Sequence, residues 1–88
     1  MSKTYTLEAV TKLVAKNKRD TAYYITLDHK DGTQETVYKL NCSRQEAFDV
    51  FLFVIQQQQA ERRKSEPMAQ WRVVRLFDAN HTQIAQES

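Results

Sequence analysis

Apolar positions along this chain switch between two periods, and the switches mark its elements. Residues 22–27 (AYYITL) and 36–40 (TVYKL) are rich in β-branched and aromatic residues and flank Asp31-Gly32. Gly adopts positive φ without steric cost and Asp tolerates the same region, so the pair predicts a turn and residues 21–40 a β-hairpin. Ser43-Arg-Gln-Glu46 is a capping box, S-x-x-E, set before an apolar run at helical spacing. It predicts a long helix over 43–64, with Pro67 marking the exit. Residues 71–77 (WRVVRLF), within 70–78, read as a strand, 78–81 as a turn and 82–86 as a short return strand.

The start of the chain fits both periods. At helical spacing Leu7, Val10, Leu13 and Val14 share a face opposite Glu8, Lys12 and Lys16. At strand spacing Leu7, Ala9, Leu13 and Ala15 do so, and Thr4, Tyr5, Thr6, Val10 and Thr11 favour extended backbone. Residues 4–16 are therefore either an amphipathic helix or an additional strand. The fold class is α+β in both cases: a small antiparallel sheet packed on one long helix.

Two surfaces stand out from this pattern. Placed at about 100° per residue, the helix's apolar side chains from Ala47 to Ile55 fill an arc roughly 200° wide. Phe53 falls opposite the centre of that arc, beside Asp49, Gln56, Gln57 and Ala60. On the sheet, Tyr24, Thr26, Val37 and Lys39 point away from Tyr23, Ile25, Leu27, Tyr38 and Leu40. In the later strand Trp71, Val73, Arg75 and Phe77 oppose Val74 and Leu76, so neither face of that strand is polar. Aligned, Tyr24, Trp71 and Phe77 would lie near Lys39 and Arg75, an aromatic and basic face suited to stacking single-stranded nucleic acid. An N-terminal helix is expected to hide that face, and an N-terminal strand to leave it open.

Composition narrows the class. Eighty-eight residues with 41% hydrophobic content suit a single domain over 1–88 and argue against disorder. The net charge is only +2, but residues 1–20 hold five basic side chains against two acidic ones. Lys16, Lys18 and Arg19 form one basic cluster, and Arg62, Arg63 and Lys64 another. The N-terminus has no apolar leader region, and the longest apolar run, residues 50–55, is too short to span a bilayer. A cytoplasmic protein without membrane association is expected.

Catalytic chemistry is sparse. One glycine excludes a phosphate loop and the dinucleotide fingerprint, and no Cys/His spacing suits zinc. Asp28, His29 and Asp31 are metal-ligand types, but at a hairpin tip polar residues serve turn chemistry and solvation. Cys42 precedes the helix cap, where a thiol can be activated, with His29 or His81 as a base. A lone cysteine there is more often packing. No catalytic, cofactor or metal residue is assigned.

The order of a possible N-terminal helix, a hairpin and a long helix resembles double-stranded-RNA-binding domains in outline. The third strand before the helix is missing, and Ser43-Arg44-Gln45-Glu46 stands where that family carries lysines, so the chain is left outside it. The expected function is that of a non-enzymatic binding module working through protein contacts, as a regulator, inhibitor or adaptor, with homodimers included. The alternative is a nucleic-acid-binding accessory protein using the aromatic and basic sheet face. Phe53 and Gln57 on the helix, and Tyr24, Lys39, Trp71 and Arg75 on the sheet, are the candidate contact residues.

Overall fold

The computed structural model describes residues 5–29, 31–64 and 72–87, and over these the chain runs α1 (Leu7–Leu13), β1 (Tyr23–His29), β2 (Gln34–Leu40), α2 (Arg44–Lys64), β3 (Arg72–Asp78) and β4 (Gln83–Gln86). A short 3-10 turn, Lys18–Asp20, precedes β1. The four strands form one antiparallel sheet in the order β2-β1-β3-β4. The α+β class, the hairpin, the long helix and the return strand are all present.

Local chemistry fixes the boundaries. At the hairpin, Gly32 has φ 92°, and Asp31 Oδ1 accepts from the Thr33 backbone N–H at 2.9 Å. At α2 the capping box is reciprocal: the Glu46 N–H donates to Ser43 Oγ at 3.2 Å, and the Ser43 N–H donates to Glu46 Oε1 at 3.0 Å. Thr6 caps α1 by accepting from the Ala9 N–H at 3.2 Å.

Both expectations for the N-terminus are partly met. Residues 7–13 are helical, and Val14 then turns extended and bridges antiparallel to Leu40. The Ala15 N–H donates to the Lys39 carbonyl and the Asn41 N–H to the Leu13 carbonyl, both at 2.8 Å. One element thus ends as helix and continues as an extra stretch of sheet edge.

The core lies on one side of the sheet. Ile25, Leu27, Leu40, Val74 and Leu76 meet Ala47, Val50, Phe51 and Val54 of α2, and Val10 of α1 joins the same cluster. Helix α1 therefore packs on the same face as α2. The expectation that an N-terminal helix would hide the opposite face is overturned, because α1 competes for the apolar side, where Val10 is fully buried.

The long helix is also rotated from its expected setting. Its fully buried residues 47, 50, 51 and 54 span only about 100°, which puts Phe53 on the flank, about 110° from their centre. Phe53 is half-buried and packs against the core, so it does not stand on a polar face. Leu52 is the outward apolar residue instead, 54% exposed.

A bulge corrects the far face as well. Ile25 pairs with Tyr38 but Thr26 pairs with Thr36, so Val37 is the extra residue. Val37 packs toward the core, and Thr36 and Gln34 replace it beside Lys39. Trp71, Pro67 and the side chains of Arg62, Arg63 and Lys64 lie outside the described residues.

Candidate functional site

Pairing brings the far face together across three strands. Tyr24 stands between Lys39 and Phe77, Thr26 between Thr36 and Arg75, and Asp28 between Gln34 and Val73. Directly opposed residues in antiparallel strands point to the same side. No described helix covers this side. A concavity of about 350 Å³ opens on it, lined by Lys18, Tyr24, Thr26, Gln34, Thr36, Lys39, Phe77 and His81. That volume is near the low end for small-ligand sites.

Its wall is built by an unusual turn. Asp78 Oδ1 accepts from the backbone N–H groups of Asn80 at 2.9 Å and Thr82 at 3.0 Å, holding the β3–β4 connection. His81 there takes φ 61°, the left-handed region that His enters more readily than most residues. This setting places its ring on Tyr24, with centroids 4.5 Å apart and planes 25° from parallel. Tyr24 is only 8% exposed, so His81, rather than Tyr24, offers the outward ring.

The charges around the concavity are one-sided. Lys18 and Lys39 are exposed, and no carboxylate lines it. Arg75 is already engaged: its guanidinium pairs with Asp28 and donates to Gln83 Oε1 at 2.8 Å and Gln86 Oε1 at 2.6 Å. Burial pushes the Asp28 carboxyl up, but hydrogen bonds from Gln34 and Arg75 outweigh it and hold the group below its ordinary value. Asp28 is therefore ionised at neutral pH and tied to its partners.

One atom lacks a partner. Thr26 is 4% exposed, and no described group hydrogen-bonds to its Oγ1. A buried hydroxyl left unpaired costs about 1–3 kcal/mol, and such groups are rare in native proteins.

Of the candidate residues, Tyr24 and Lys39 line the concavity, with Arg75 beside it as a structural tie. Phe53 and Gln57 lie on α2, away from this face, and Gln57 is exposed. The sequence pattern missed Lys18, Thr26, Gln34, Thr36 and His81. The bulge hid the strand residues, while the Asp78-Ala79-Asn80-His81 turn signal was visible without indicating where the ring would point.

The other chemistry gains nothing here. Burial and the nearby Glu46 push the Cys42 thiol up to about 11, the opposite of activation. His29 Nε2 lies 3.0 Å from Glu35 Oε1. Among the described residues no three potential ligands gather for a metal, and no helix is long and apolar enough to cross a membrane. A groove of about 460 Å³ between α1 and the start of α2 carries both Glu8 and Glu46 beside Lys12. Compared with family models, curated proteins and solved structures, the chain matches none.

Proposed function

We propose that this protein is a non-enzymatic binding module whose far sheet face holds single-stranded nucleic acid. The observation that carries the reading is a concavity rimmed by Lys18, Lys39 and His81, walled by Tyr24 and Phe77, and lined by no carboxylate. Lysines attract phosphates wherever they sit, and an outward ring stacks any base, so this chemistry suits a flexible polyanion with planar bases. Duplex nucleic acid keeps its bases paired, so their faces are not offered to the His81 ring.

The test is fluorescence anisotropy with mixed-sequence single-stranded DNA and RNA across a salt series. Binding should weaken as salt rises, because each phosphate contact on a single strand contributes about −0.7 to the slope of log K against log salt. No binding at low salt would sink the reading.

A second reading, contact with another protein or a second copy, is favoured by Leu52. Its 54% exposure continues a stripe with the half-buried Phe48 and Ile55. Apolar side chains at such spacing on an outer helix face are what helix-mediated contacts use. Light scattering on a sizing column distinguishes self-association from a monomer.

A further inference from the structure

The floor of the concavity has a defined donor and acceptor pattern. Gln34 Nε2 donates to Asp28 Oδ1 at 2.9 Å. An ionised carboxylate only accepts, so the Gln34 amide is fixed with its nitrogen toward Asp28. Its Oε1 is thereby left as an acceptor, and no described donor occupies it. Beside it stand two hydroxyls paired across the strands, Thr26 and Thr36, and Thr26 Oγ1 is the unpartnered one. The wall thus offers an acceptor next to a hydroxyl able to donate.

We infer that this concavity takes one unpaired base carrying an exocyclic amino group beside a ring-nitrogen acceptor, namely adenine or cytosine. This rests on the reading of the face as a nucleic-acid surface. The amino group donates to Gln34 Oε1, and the ring nitrogen accepts from a threonine hydroxyl. Thymine and uracil present the reverse pattern, a carbonyl beside an N–H, and would set oxygen against oxygen at Gln34. The base stacks on the outer face of His81, which Tyr24 backs, while Lys18 and Lys39 take the flanking phosphates. Thr26 Oγ1 is shielded from bulk water, so a rim side chain moves as the base enters. Lys18 and Lys39 are exposed and long enough to swing aside.

The experiment is anisotropy with labelled oligo(dA), oligo(dC) and oligo(dT) of about 12 nucleotides at low salt. Oligo(dA) and oligo(dC) should bind roughly tenfold tighter than oligo(dT), the scale of one good two-point base contact. Thr26→Val and Gln34→Leu should each shrink that gap. Gln34 is exposed, so its variant is expected to fold even if Thr26→Val does not. Equal, salt-sensitive binding of all three, or a preference for oligo(dT), would overturn the base inference and leave the surface reading standing. No binding of any oligonucleotide would overturn both.

Discussion

The ring of His81, carried on a backbone with φ 61°, lies stacked on Tyr24 with centroids 4.5 Å apart. A turn residue in a costly conformation thus supplies the outer ring of a sheet face whose own tyrosine is almost fully covered. The stack links the β3–β4 connection to the central strand β1.

The two contributions of His81 are separable. A non-Gly residue in the left-handed region costs roughly 1 kcal/mol, and an aromatic pair returns about 0.5–1.5 kcal/mol. His81→Ala keeps the backbone cost and loses the stack, so urea unfolding should show a loss of about 1 kcal/mol. His81→Gly loses both and should be near neutral. A glycine variant clearly less stable than the alanine variant would show that the backbone is unstrained.

Thr26 and Ile25 are neighbours with opposite expectations. Thr26→Val removes a buried hydroxyl that has no partner and should leave stability unchanged or raise it by about 1 kcal/mol. Ile25→Ala, on the core side, should cost about 2–5 kcal/mol through lost burial and the cavity left behind. Thermal unfolding of both variants checks the assignment of faces. A Thr26→Val protein as damaged as Ile25→Ala would contradict it.

Asp28 sets an acid limit. Its pKa is lowered in the folded state, so it contributes stability in full above the ordinary carboxylate value of 3.8. That contribution is lost as pH falls from there through the lower folded-state value. Asp28→Asn should therefore be less stable than the parent at neutral pH, with the difference shrinking under acid. Urea midpoints at neutral pH and below pH 4 measure this, and a difference that grows in acid would refute it.

Leu52 tests the helix surface. Leu52→Glu should unfold at the parent's temperature, because the residue is outside the core. If copies pair through the Phe48, Leu52 and Ile55 stripe, the same change should convert a dimer to a monomer in light scattering. A large drop in unfolding temperature would show instead that Leu52 belongs to the fold.

Much of the fold was legible because its signals are local. The capping box at Ser43 and Glu46 and the turn at Asp31-Gly32 act within a few residues, and both formed as expected. The rotation of α2 was not legible, because seven apolar positions allow several settings and tertiary packing selects one. Phe53 therefore moved to a flank and Leu52 outward. Periodicity also failed at Val37, since a one-residue bulge reverses every side chain beyond it. That single residue separates the expected face from the observed one, and it admits Gln34 and Thr36 to the candidate site. Lys18 and His81 enter from a 3-10 turn and a tight turn, whose directions depend on contacts distant in sequence.

The most direct measurement compares two charge reversals of equal size at different places. Lys39→Glu changes the rim of the sheet concavity, whereas Lys12→Glu changes the helix side of the protein. Both alter net charge equally, so general electrostatic attraction falls equally. With mixed-sequence single-stranded DNA at low salt, Lys39→Glu should abolish most binding and Lys12→Glu should leave it near the parent's. Equal loss in the two variants, or binding that survives in Lys39→Glu, would contradict the placement of the nucleic-acid site on the far face of the sheet.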